Sequence, residues 1–191
     1  MTSSSFKKST LNFLTCLALP FALMAAGVSA QAQTLQLNGT GIRYQASGPL
    51  YSAGLYLDKK LTTAAQVMAS QGAKQLRVVM LRDASAAEMG DLLASGIVAN
   101  ASDDELNKLI PTLFSLGKIL GEQKKLLAGD TFEFELQPAA LSTITIQVKA
   151  SGQSVKHEFA QSDLFGILLR IWLGNQPADE GLKSALLGKV S

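Results

Sequence analysis

Apolar and polar positions alternate along this chain in two rhythms, and the change from one to the other divides it into elements. From Leu50 to Leu57 the period is two: Leu50, Ser52, Gly54 and Tyr56 share one face, and Tyr51, Ala53, Leu55 and Leu57 the other. A preceding segment, Leu35–Ala46, and the turn signal Ser47-Gly48-Pro49 make this a predicted β-hairpin. Gln75–Leu81 is β-branched and apolar, as expected of a buried strand. Thr131–Leu136, Thr143–Lys149 and Ser154–Phe159 read as three more strands. In the first two, Phe132, Phe134, Leu136, Ile144, Ile146 and Val148 point inward.

Between these groups the spacing turns helical. Thr62–Ser70 is a short helix candidate ended by Gly72. Ser85 with Glu88, and Ser102 with Glu105, are capping-box pairs. Met89, Leu92, Leu93, Gly96 and Ile97 follow the first, and Leu106, Leu109, Ile110, Leu113 and Gly117 the second, each set on one face. Pro111 is predicted to kink or split the second helix. Asp163–Leu173 is a broadly apolar helix capped by Ser162 and ended by Gly174, with Arg170 and Gly166 on its polar side. Asp179–Leu187 closes the chain. The order strands, helices, strands, helices predicts an α+β fold, an antiparallel β-sheet backed by a layer of helices.

The first 32 residues follow another logic. Lys7 and Lys8 precede an uncharged run from Leu11 to Val28, and Val28-Ser29-Ala30 and Ala30-Gln31-Ala32 offer small-residue cleavage sites. This layout predicts a signal peptide cut after Ala30 or Ala32, and a periplasmic or secreted domain over 33–191. The only cysteine, Cys16, goes with it. So do Lys7 and Lys8, which leaves fifteen basic residues against fifteen acidic ones. A neutral chain with no basic block gives no reason to expect nucleic acid as a partner, and no later run is apolar enough to predict stable membrane insertion.

Familiar catalytic equipment is missing from the pattern. The one histidine, His157, sits between Lys156 and Glu158, and no G-x-S-x-G occurs. Asp103-Asp104-Glu105 is explained by a helix N-terminus, so no metal is expected. The glycines around Thr40 fit neither a dinucleotide nor a phosphate loop, so no cofactor is expected either. What remains is Arg43, the only arginine in the first 76 residues, beside all three tyrosines, Tyr44, Tyr51 and Tyr56. A guanidinium offers five fixed donors, suited to a carboxylate or phosphate, and a phenol joins an apolar ring to a polar tip. The competing reading has Arg43 in solvent and the tyrosines as packing.

The run Gly39-x-Gly41-x-Arg43, then Tyr51-x-x-Gly54-Leu55-Tyr56-Leu57, resembles the opening strands of the chalcone isomerase superfamily. So do Leu81-Arg82-Asp83-x-Ser85, Ile171-Trp172-Leu173-Gly174-x-x-Pro177-Ala178-Asp179 and Leu182-Lys183-x-x-Leu186-Leu187-Gly188. Together they are similar to its bacterial, secreted, chalcone isomerase-like branch. The resemblance implies a cleft between sheet and helices. It puts Arg43 at the family's arginine, Tyr51 at its threonine and Ile171 at a late hydroxyl. The helical-layer tyrosine has no counterpart after Tyr56. These departures argue against chalcone cyclisation. Arg43 with Tyr51 is similar to the head-group site of the superfamily's plant fatty-acid-binding relatives.

Three functions follow as expectations. The first is non-catalytic binding of a fatty acid or similar apolar carboxylate, with Arg43, Tyr51 and Tyr56 at the head group and Leu92, Leu93, Ile97, Leu109, Leu113 and Phe114 along the cleft. The second is an isomerase of chalcone-like or other unsaturated ketones, which rests on fold alone. The third is a cell-envelope structural or partner-binding protein with a vestigial cleft.

Overall fold

The computed structural model describes residues 34–123, 125–137, 143–150 and 152–189; the leader-like residues lie outside them. The hairpin forms from β1 (Gln36–Gln45) and β2 (Gly48–Leu57). Gly48, at φ 106°, takes the left-handed conformation that the turn after Gln45 requires. After the short α1 (Ala64–Ala69), β3 (Lys74–Met80) pairs with β2. A two-residue strand β4 (Ala84–Ser85) leads into α2 (Ala86–Asn100) and α3 (Asp103–Glu122), after which β5 (Lys125–Leu126) pairs back with β4. β6 (Thr131–Gln137), β7 (Thr143–Ala150) and β8 (Gln153–Phe159) complete the main sheet, and α4 (Ser162–Leu173) and α5 (Glu180–Leu186) end the chain. The six-stranded sheet runs β1-β2-β3-β6-β7-β8, antiparallel throughout.

Alternation in the strands fixes which face is covered. Leu55 stands opposite Leu76 and Leu76 opposite Phe134, while Ala53, Val78 and Phe132 form the neighbouring row. All six are buried. The opposite face carries charge, as in the Arg77–Glu133 pair at 3.4 Å and the Glu133–Lys149 pair at 3.8 Å. A one-residue slip would exchange these faces, so the apolar rows hold the register.

The covered face meets α4 first. Leu164, Phe165, Leu168, Leu169, Trp172 and their neighbours are buried almost all round the helix, with Gly166 and Arg170 the breaks. A helix apolar on most sides belongs inside, and α2 packs over it as a further layer. At the crossing a Cβ on Gly96 would lie 2.7 Å from Ile171 Cγ2, so glycine sets how closely the two helices approach. Arg170 leaves α4 to pair with Glu105 at 2.6 Å, part-buried rather than free on the surface.

Several local expectations need correction. Ser85 caps α2, but the Glu88 carboxylate goes to Arg82 at 2.6 Å instead of closing a capping box. Arg82 also donates to Gln45, tying the start of α2 to the end of β1. The Ser102–Glu105 box is complete. Pro111 does not split α3, because its missing N–H falls on the solvent side, where water can satisfy the released carbonyl. Ile110 lies on that outer side, 61% exposed, since the buried face runs through Leu109, Leu116 and Ile119. The N-cap of α4 is Gln161, without a side-chain cap bond, and Ser162 is its first residue. Gly174 ends α4 in extended rather than left-handed backbone; a side chain there would meet Asn100 Oδ1 at 2.2 Å.

Candidate functional site

Two glycines of β1 bring the polar end of the site together. A Cβ on Gly39 would stand 2.1 Å from the Ala185 carbonyl oxygen, and one on Gly41 2.7 Å from the Ala185 Cβ. Their absence lets α5 lie directly on β1. Asn38 pins the far end, donating to the Leu186 carbonyl at 2.8 Å and the Leu61 carbonyl at 2.9 Å. At the near end Asp179 caps α5, its Oδ1 accepting from the Leu182 N–H at 2.9 Å. Its other oxygen lies 3.6 Å from Arg43 Nη1. Arg43 is therefore held between strand and helix, with 20% of its side chain exposed.

Tyr51 is the cross-strand neighbour of Arg43 and is buried. Its hydroxyl oxygen accepts from Trp172 Nε1–H at 3.1 Å. Trp172 itself packs at a tilt on Phe134, with ring centres 6.0 Å apart. Burial pushes the Tyr51 phenol above its ordinary 10.0, outweighing the Trp172 bond and the Arg43 charge that pull it down, and the Asp179 charge adds to the rise. At neutral pH the phenol keeps its proton, and no described residue accepts it.

Arg43 and Tyr51 border a cavity of about 330 Å³ between the sheet and α2. Val78, Phe132, Phe134 and Trp172 form its buried side. Met89, Leu92, Leu93 and Gly96 of α2, Leu120 of α3 and Ile171 of α4 form the helical wall. Ser95, Ala99 and Gln176 line it while open to solvent, which marks the mouth. The loop at the mouth is held by Asn100, which donates to the Gln176 carbonyl at 2.7 Å and accepts from its N–H at 3.0 Å. Arg43 is the only charged residue among the described lining. Among the described residues no group of His, Cys, Asp or Glu could hold a metal ion.

Of the residues singled out from sequence, the cavity gathers Arg43, Tyr51, Leu92 and Leu93. It does not gather the others. Tyr56 lies on the opposite face of β2, its ring over Gly54. Ile97 and Leu109 are core residues with about 1% exposure. Leu113 packs on the core beside them. Phe114 is 79% exposed on the outer side of α3. Trp172 and Asp179, the partners of Tyr51 and Arg43, are not among the residues singled out from sequence. A buried indole usually finds an acceptor for its N–H, and Trp172 on a broadly apolar helix carried that signal in the sequence.

Comparison with known proteins agrees with this fold. The profile of the chalcone isomerase-like family matches residues 22–188. AtFAP1, a fatty-acid binding protein of Arabidopsis thaliana whose crystal structure is known, superposes with a TM-score of 0.57 at 13% identity, over 80% of this chain and 86% of that one. At that identity the likeness establishes the fold. No curated sequence matches significantly. With its sheet, its helical layers and nearly its whole length matched, the chain belongs to the chalcone isomerase-like family.

Proposed function

We propose that this protein binds, without chemical conversion, a fatty acid or similar single-chain apolar carboxylate. The observation that carries this reading is a polar pair at an apolar void: Arg43 and the unaccepted proton of Tyr51 border a cavity otherwise walled by Val78, Phe132, Phe134 and the α2 leucines. The fold shared with a fatty-acid binding protein supports the same role. Allowing each non-hydrogen atom about 30 Å³, the volume one water molecule takes in the liquid, the cavity of about 330 Å³ takes about eleven such atoms. That corresponds to an acid of eight to ten carbons, roughly, with longer chains leaving through the mouth. Each buried methylene contributes about 0.8 kcal/mol. The charge-assisted contact adds about 1.5–3 kcal/mol, so the tail supplies most of the affinity and the head group the orientation. We read the leader-like first 32 residues as an export signal, so the ligand would be met outside the cytoplasm.

The test is titration of the purified protein with straight-chain acids from six to sixteen carbons, together with mass spectrometry of lipid extracted from it. Affinity should rise with chain length to about ten carbons and then level off. A lipid-free protein that binds none of the series overturns the proposal.

A further inference from the structure

Arg43 does not meet a ligand as a bare cation. Asp179 Oδ2 stands 3.6 Å from Arg43 Nη1, and both side chains are mostly shielded, with 20% and 25% exposure. Asp179 is not free to swing away, because its other oxygen caps α5 through the Leu182 N–H. The glycines under α5 fix that helix against β1. Lys183 does not compensate it: its ammonium goes to the Gly174 carbonyl at 2.8 Å and lies 3.8 Å from Glu180. Both charges are felt at Tyr51, where they act in opposite directions. The head-group position therefore sees a nearly balanced ion pair. At 3.6 Å Asp179 also leaves the guanidinium short of a full hydrogen bond, with donors still open to a ligand.

We propose that Asp179 is the specificity-determining residue of this site, a built-in competitor for Arg43 that weakens the preference for an anionic over a neutral head group. The proposal rests on the carrier reading above. An incoming carboxylate gains Arg43 but is placed beside a second carboxylate in a partly desolvated corner, where like charges repel more than in water. An alcohol of the same chain length incurs no such repulsion and still meets Tyr51. The native site thus releases an acid more readily than an isolated arginine would.

The experiment compares decanoate with decan-1-ol by calorimetric titration of the wild-type protein, Asp179→Asn and Asp179→Ser. Asparagine and serine are both good N-caps, so either variant keeps the start of α5 while removing the charge. Melting curves check that each is folded. Both variants should bind decanoate at least fivefold more tightly than wild type and decan-1-ol within twofold of it. If wild type binds decanoate and both folded variants bind it equally or less well, Asp179 serves only to cap α5 and hold Arg43, and the proposal is wrong. If wild type binds neither probe, the carrier reading falls and takes this proposal with it.

Discussion

Trp172 donates its indole N–H to the Tyr51 hydroxyl oxygen at 3.1 Å, and this one bond decides what Tyr51 can do. With the oxygen engaged as acceptor, the phenol's remaining capacity is as a donor. Both residues line the cavity, so the donor is held where a ligand oxygen can reach it. Tyr51→Phe should therefore act twice. It removes a ligand-directed donor and leaves a buried indole N–H unpaired. Carboxylate affinity should fall several-fold, and denaturant unfolding should show a loss of about 1–3 kcal/mol. Unchanged stability would mean the indole finds another acceptor.

Phenol titration gives a separate check on the same residue. Because burial raises the Tyr51 pKa, its ultraviolet ionisation step should come later than that of a free tyrosine. That step should be absent from Tyr51→Phe. A Tyr51 that ionises at or below the ordinary value would contradict the burial described.

Glu105 gives an acid-stability prediction. Hydrogen bonds from Arg170 and from the Ser102 backbone hold its pKa at about 2, below its ordinary 4.5. A carboxylate with a depressed folded-state pKa stabilises the fold at pH above the unfolded value, and that contribution disappears as pH falls from about 4.5 toward 2. Glu105→Gln should be less stable than wild type at pH 7, and the difference should shrink across this window. A gap independent of pH would mean that the Arg170 pair contributes nothing through charge.

Gly39→Ala tests the seat of α5. The added methyl would meet the carbonyl oxygens of Ala185 and Leu186 at 2.1 and 2.6 Å, and backbone cannot give way as a flexible side chain can. A loss of about 2 kcal/mol or more is expected, with ligand affinity changed because Asp179 shifts relative to Arg43. Ligand affinity untouched by a folded Gly39→Ala would separate α5 from the site.

Phe114 and Leu92 should behave oppositely. Phe114→Ser removes an exposed ring from the outside of α3 and should leave ligand affinity unchanged and stability within about 0.5 kcal/mol. Leu92→Trp adds bulk to a cavity wall and should weaken binding of a ten-carbon acid at least tenfold while the protein still folds.

That contrast also shows how far a sequence can be read. Alternation in β2 and β6 gave the sheet and its buried face, because a strand has only two faces and one was apolar. The same alternation already set Tyr56 against Tyr51, so grouping both at one head group ignored the strand's own parity. Helical spacing placed Ile97 and Leu109 inward, and they are buried. It could not tell an inward leucine that meets protein from one that meets a void, which depends on where α2 stands off from the sheet. The Arg43–Asp179 pair joins residues 136 positions apart in the chain, and no local pattern announces it. The glycines that permit it were visible at positions 39 and 41, but their use is a close approach that only the packed α5 reveals.

The most direct test of the central claim is the affinity for decanoate of wild type against Arg43→Met, which keeps much of the apolar stem of the side chain and removes its charge and its donors. The account predicts a loss of roughly ten- to 150-fold, the equivalent of one charge-assisted contact. Equal affinities in two folded proteins would contradict it.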